Sequence, residues 1–261
     1  MNILDKKTLS PEEIAKKSNV PLHNIYHQLA LGILEELEHT SDKRIASEIA
    51  LDHLAEDSNY YTKLEQIDKK FVYPKNYNIF FDTEFYENGE TIIPISFAFL
   101  KESGESLYLV NKDFDYTEMV YDCEMRGTID TADFLDKNVL NNLNATGLNT
   151  FNLPTILSLI KKFIGDSTPT FWTSTGSYDW VLLCQMFGRM LDLPKTYPYL
   201  PMDTAQLKRM FPNVKPDLSI LPFRIPSDIR EHNALFDAYE VYAKYLSYKK
   251  YIVDNNLPIY I

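Results

Sequence analysis

Histidine and cysteine are the scarce residues of this chain, five and two among 261 positions. Cys123 and Cys184 stand far apart, so neither a thiolate metal site, with its closely spaced cysteines, nor a disulfide framework is expected. Long apolar runs are missing as well: no stretch reaches the roughly 18 apolar residues that mark a membrane-spanning helix. The first residues, MNILDKKTLSPEEIAKK, lack the apolar centre of a secretory leader. The cytoplasm is therefore the expected location, with no membrane partner. A basic excess is absent too. Lys and Arg total 26 against 37 Asp and Glu, a net charge of −11, which argues against the broad cationic surface used for tight, non-specific binding of nucleic acid. An enzyme that grips a few nucleotides locally is still compatible with that balance, because acids that hold metal ions themselves add to the count. No internal repeat or low-complexity tract occurs, and the composition, 45% hydrophobic and 24% charged, is that of an ordinary globular protein.

The hydrophobic period changes once along the chain. Up to Pro74 it is helical: SPEEIAKKS offers Ser10 as an N-cap with Pro11 at the first helical position. LHNIYHQLALGILEELEHT, DKRIASEIALDHLAED and YYTKLEQIDKKFVYPKN follow. A domain boundary is placed at about residue 74, giving a small all-α domain over 1–74 and a second domain over 75–261. Beyond it YNIFFDTEFY, TIIPISFAFLK and SLYLVNKD read as three strands, the first two joined through Asn88-Gly89, a strong hairpin signal. Helices are expected over FNLPTILSLIKKFIG, GSYDWVLLCQMFGRML and HNALFDAYEVYAKYLSYKKYI, with a strand at PTFWTST and a short strand before MDTAQLKRMF. Three antiparallel strands followed by alternating helices and strands predict an α/β fold with a mixed sheet flanked by helices. Residues 194–226 hold seven of the fourteen prolines and read as a long ordered excursion, the kind of segment that lines sites.

The strand IFFDTEFY carries Asp82 and Glu84 two residues apart. On a strand these side chains share a face and repel each other unless a cation lies between them. Either they are solvated at an edge or they hold a metal ion. Asp179, in TGSYDWVLLCQ, and Asp237, in EHNALFDAYEVY, stand near the starts of apolar helices, where the helix dipole alone is a sufficient reason for an acid. His232 is the only histidine after residue 53, five residues before Asp237 and ahead of the helix for which Asn233 is the N-cap.

DTE on a first strand, YD opening a middle helix and HNALFD opening a last one resemble, in order and spacing, the three motifs of the DEDDh 3′–5′ exonucleases of the ribonuclease H-like superfamily. The resemblance covers residues 76 to about 250, and DTEFYENGETIIPISFAFL with YDWVLLCQMFGRM-LDLP is similar to a small subgroup of prokaryotic and phage exoribonucleases. It implies a ribonuclease H-like fold and two divalent cations, Mg²⁺ or Mn²⁺, held by Asp82, Glu84, Asp179 and Asp237, with His232 as general base. It also implies a nucleic acid with a free 3′ end as substrate, RNA favoured over DNA, and release of nucleoside 5′-monophosphates. A phage origin would place it in the host cytoplasm, and related nucleases suggest a homodimer. The tyrosine branch of these nucleases has its base four residues before the last acid, where this chain has Asn233. The chemistry suits the residue types: two ions about 3.5–4 Å apart assist both the attacking and leaving oxygens of a phosphodiester, and carboxylate oxygens are the hard ligands such ions take. Rival readings are a DNA exonuclease with the same site and a binding module that has kept the fold without turnover.

Substrate contacts are less sharply marked. Phe85 is either a core residue or a wedge against the terminal base. Thr83 and Tyr178 flank the acids, and Arg224 and Arg230 stand either as phosphate contacts or as solvated charges. Trp172, Tyr178 and Trp180 surround the second motif, with core packing the better reading of Trp180; Phe81 also reads as core. In the first domain, EELEHTSDKRIASEIALDHLAEDSNYYTKL resembles a phage and bacterial helical module of unknown function. Glu36-x-x-His39 and His53-x-x-Glu56 each place an acid and an imidazole on one helix face, a spacing shared with di-iron bundles, although hydrogen-bonded packing between two helices is favoured. PEEIAKKSNVPLHNIYHQL has a helix-turn-helix rhythm without clustered arginines, so docking of a protein or of substrate is expected there rather than reading of DNA sequence.

Overall fold

The computed structural model describes residues 8–37, 40, 42–67 and 76–258. The chain divides into two compact units, Met1–Tyr73 with Ser158–Gly165, and Pro74–Leu157 with Asp166–Ile261.

In the first unit, α1 (Pro11–Ser18) starts at a capping box in which Ser10 and Glu13 satisfy each other's backbone N–H groups. It is followed by α2 (Leu22–Glu36), α3 (Lys43–Glu56) and α4 (Tyr60–Ile67). Ile14, Ile25, Leu29, Ala46, Ala50 and Leu54 are buried, and so is the whole of Tyr61. The Tyr61 hydroxyl donates to Glu36 at 2.9 Å, and His53 Nε2 lies 3.7 Å from the same carboxylate oxygen while its ring stacks on Tyr60. The acid of the first candidate metal motif and the imidazole of the second therefore meet, with a tyrosine as third partner. His39 lies outside the described residues, and among those described no metal-type cluster of three side chains forms in this unit. Gly32 leaves room for Tyr61: a Cβ there would fall inside the contact distance of the ring. Replacing Gly32 by Ala gains about 1 kcal/mol of helix propensity, but it pushes on a ring that is buried and hydrogen-bonded, a strain of about 1–3 kcal/mol. Gly32→Ala is expected to lower the stability of this unit in denaturant titration, whereas Gly32→Ala together with Tyr61→Leu restores the lost room.

The second unit is built on a six-stranded sheet: β1 (Asn76–Glu87), β2 (Ile92–Lys101), β3 (Ser106–Asn111), β4 (Thr150–Phe151), β5 (Thr168–Thr173) and β6 (Met202–Asp203), in the order β4-β3-β2-β1-β5-β6. β1, β2 and β3 are antiparallel neighbours, and β4, β5 and β6 join in parallel. This is the ribonuclease H-like arrangement expected of the sequence. The β1–β2 turn uses Gly89 at φ +80°, with the Asn88 side chain accepting from the N–H groups of Glu90 and Thr91, which is why Asn-Gly reads as a hairpin. A register shift follows Glu84: Glu84 faces Ser96 but Phe85 faces Pro94, so Ile95 is the extra residue. Proline has no N–H for the ladder and is at home in such a bulge, and Asn111 donates to its carbonyl at 2.9 Å.

Alternation along β1 separates two layers. Phe80 packs under α10 (Ala234–Asp254) with Tyr242 and Tyr245. Phe81 packs on the opposite face with Phe99, Phe171 and Trp180 of α8 (Gly176–Phe187). Phe81, Trp172 and Trp180 are all core residues; Trp180 also donates its indole N–H to the carbonyl of Tyr199.

Several expectations are corrected. The stretch 114–150, for which no element was predicted, forms α5 (Tyr116–Arg126), α6 (Ile129–Phe134), a π-helical turn over Leu135–Val139 and a 3₁₀ turn over Leu140–Asn142. Its core side, Met119, Cys123, Ala132, Leu135 and Val139, packs on Tyr86 and Ile95. Tyr121 and Met125 of α5 are exposed, which blurs the apolar period that would have revealed the helix. Phe151 belongs to β4, and α7 (Leu153–Ile164) begins after it. The helix expected to reach residue 191 stops at Phe187, before Gly188 at φ +107°. The short strand is Met202–Asp203 itself, and α9 (Thr204–Met210) starts where its acid caps the helix by accepting from Ala205. The proline-rich segment is thus broken by β6, α9 and a 3₁₀ turn at Leu218–Ile220.

Candidate active site

Asp82 and Glu84 lie on the β1 face that α10 covers, and Asp237 sits in the first turn of that helix. One ligand atom each of Glu84, His232 and Asp237 lies within 4.8 Å of the others, the one metal-type group among the described residues. Asp82 is outside that trio but feels the charges of Asp179, Asp237 and Glu84. Asp179 comes from the other face, in the first turn of α8, and is buried. Its Oδ1 accepts from both the N–H of Thr83, at 3.1 Å, and the Thr83 hydroxyl, at 2.6 Å. Thr83, a sequence candidate for substrate contact, is itself buried and holds Asp179 instead.

Gathering these acids costs electrostatic energy, which shows in their protonation. Burial raises Asp82 well above the usual carboxylate range, and the charges of Asp179, Asp237 and Glu84 add to it. Glu84 is pushed up to about 8, by burial first and then by Asp237 and Asp179, and its carboxyl is within hydrogen-bonding reach of Asp237. Asp237 is raised to about 7 by burial and the charge of Glu240, against the N–H of His232 and the charge of Lys244. Asp179 reaches about 7 through burial, in spite of its two bonds from Thr83. Such a set suits divalent cations, which would take carboxylate oxygens and relieve the repulsion at once.

His232 stands at φ +66°, a left-handed conformation that is uncommon outside glycine and persists where the surroundings enforce it. Its backbone N–H donates to Asp237 at 3.1 Å, and its ring meets the edge of Phe134 at 5.2 Å between centroids. The enforcement comes from two asparagines. Asn142 donates its amide to the carbonyls of Arg230 and Glu231 at 3.2 and 2.7 Å. Asn233 is fully buried, accepts from the N–H of Leu235 as N-cap, and donates to the Asn142 carbonyl and the Tyr108 hydroxyl. Sequence reasoning found Asn233 as a cap and missed Asn142, Tyr108 and Phe134, which lie about 90 residues or more away and carry no motif.

Phe85 and Tyr178 stack on each other, with ring centroids 5.4 Å apart and planes 12° from parallel. Phe85 is half-buried and Tyr178 is exposed. Arg224 and Arg230 are both exposed, and neither forms an ion pair among the described residues.

A ribonuclease H-like sheet with acids converging from its first strand and two helices defines a carboxylate-centred α/β domain. Comparison with known proteins places it further. A 3′-5′ exoribonuclease of Mycobacterium tuberculosis strain H37Rv is 31% identical over 165 residues, 61% of this chain and 85% of that protein, and its counterpart in strain CDC 1551 matches equally. The chain belongs to their family, one of 3′–5′ exonucleases. Residues 11–70 match a second family, described as protein of unknown function DUF5661. No helix among the described residues is long and apolar enough to cross a membrane.

The raised carboxyls fix the sign of a pH effect. Their folded-state values, about 7 for Asp179 and Asp237 and about 8 for Glu84, lie above their ordinary ones near 4, so the folded state holds more protons than the unfolded state between these limits. Stability of the metal-free protein is therefore present at about pH 4 and is lost as pH rises towards 8. A thermal-melting series with EDTA should show that fall. Glu84→Gln is expected to flatten it, and Mg²⁺ or Mn²⁺ to reverse it above pH 7.

Proposed function

We propose that the protein is a metal-dependent 3′–5′ exoribonuclease of the DEDDh type that releases nucleoside 5′-monophosphates. The observation that carries the reading is the convergence of Glu84, His232 and Asp237 on one point, within the charge field of Asp82 and Asp179. Asp82, Glu84, Asp179 and Asp237 would hold two divalent cations, Mg²⁺ or Mn²⁺. The bound ions would supply charge neutralisation of the scissile phosphate and its leaving oxygen.

The protein's own residues do the rest. His232 accepts the proton of the attacking water at a ring nitrogen, its position set by the Asn142–Asn233 clamp and the Phe134 ring. The oxygen–phosphorus bond forms as the bond to the 3′ oxygen breaks, and that oxygen is protonated from solvent. Thr83 keeps Asp179 aimed at the centre. The stacked pair of Phe85 and Tyr178 offers an aromatic platform for the terminal bases, where stacking is worth about 1–3 kcal/mol per base. Arg224 and Arg230 are candidates for the strand's phosphates. RNA is favoured over DNA because the relatives carry that substrate in their names. The filling of all five positions speaks against a binding module without turnover.

End-labelled single strands and tailed duplexes, in RNA and DNA versions, test this with Mg²⁺ or Mn²⁺ present. Asp82→Ala and His232→Ala should each lower the rate of shortening by about 10²-fold or more. Degradation that is unchanged in both variants, or that proceeds in EDTA, overturns the assignment; faster loss of the DNA strand moves the substrate to DNA.

A further inference from the structure

Residues just past β5, together with α9 and α10, line a cavity of about 400 Å³, within the range of roughly 300–1,000 Å³ typical of small-molecule sites. Its walls differ in character. Its polar lining includes Ser174 and Thr175, just past the end of β5, Lys208 of α9 and Lys244 of α10. Val214, Pro216, Leu218 and Tyr248 are among its apolar lining. Glu240 is the only acid in the lining. Lys244 is held by Ser174 at 3.1 Å and by Glu240 at 3.0 Å. Lys208 is exposed and makes no ion pair among the described residues.

We propose that this cavity is a second nucleotide-binding site, separate from the acids. Two ammonium groups with two hydroxyls are suited to a phosphate. The apolar lining gives a flat ring something to bury against, and Glu240 can accept from the hydroxyls of a ribose. A bare anion would meet Glu240 as a like charge, so sugar and base, not phosphate alone, account for the whole lining. The site is not isolated from the centre, because the Lys244 charge reaches Asp82 and Asp237. An occupant that draws on Lys244 would therefore be felt by the acids. Two sources share this chemistry: the mononucleotide released by the reaction, and an internal nucleotide of the bound strand. The choice of a nucleotide over other phosphorylated ligands rests on the exonuclease reading; the cavity itself does not.

Calorimetric titration of the full chain with adenosine 5′-monophosphate in EDTA tests the site without metal at the acids. Binding should weaken about tenfold or more in Lys208→Glu, the loss expected for one charged contact, and also in Ala205→Phe, which fills the cavity; melting temperatures report that both variants fold. Asp82→Ala should retain that binding, shifted by no more than its coupling to Lys244. If the mononucleotide fails to bind but Lys208→Glu weakens a short single-stranded RNA and spares a dinucleotide, the site stands and its occupant is the internal nucleotide. Mononucleotide binding that is lost in Asp82→Ala and kept in both cavity variants overturns the proposal. So does indifference of mononucleotide and RNA alike to both cavity variants. Lys208-dependent binding in a protein that shortens no strand with Mg²⁺ or Mn²⁺ would leave this site standing and remove the exonuclease reading instead.

Discussion

The constraint on which this architecture turns is the repulsion among four carboxylates gathered at one end of a sheet. Left alone, such a group would be separated or solvated; here Asp82, Glu84 and Asp237 are half-buried and Asp179 is buried. The surrounding structure is what holds them in place. The aromatic layers on the two faces of β1 keep the strand fixed, so that the acids cannot drift apart. Phe80 is wedged between Tyr242 and Tyr245, and Phe81 among Phe99, Phe171 and Trp180. The cost of assembling like charges is met by packing elsewhere, as is common at functional sites.

The two acids borne by helices are also fixed by specific partners rather than by packing alone. Two bonds from one residue of β1 tie Asp179 to the strand, so α8 and β1 move as one at this point. Asp237 is fixed by the backbone of His232, which couples the last acid to the loop carrying the histidine. That loop is in turn pinned by Asn142 and Asn233 in a conformation that β-carbon sterics disfavour. Charge, loop and helix start thus form one chain of dependence, from Asn142 through Arg230 and His232 to Asp237.

The parts of this that could be read in sequence are those that depend on local period. Asp82 and Glu84 stood out because acids interrupted an aromatic run at spacing two; His232 stood out because its half of the chain has no other histidine. The three antiparallel strands and the mixed sheet followed from the hairpin signal and the later alternation of helices and strands. What could not be read depends on distant pairing. Asn142 and Phe134 act on a loop about 90 residues away, from a stretch whose helices expose Tyr121, Met125 and Phe134 and so lack a clean apolar face. β4 is two residues long, too short for any period to show. Thr83 was open to better reading: alternation alone sets it on the opposite face from Asp82 and Glu84, towards the helix that bears Asp179.

Asn233 limits which substitutions the loop beside the acids tolerates. Its side chain is fully buried and makes three bonds, to Leu235, Asn142 and Tyr108. A tyrosine introduced there would break the helix cap and unpin the histidine loop in one step. Loss of the Asn233 side chain would therefore reach His232 and Asp237 together, although none of its three bonds is to either residue.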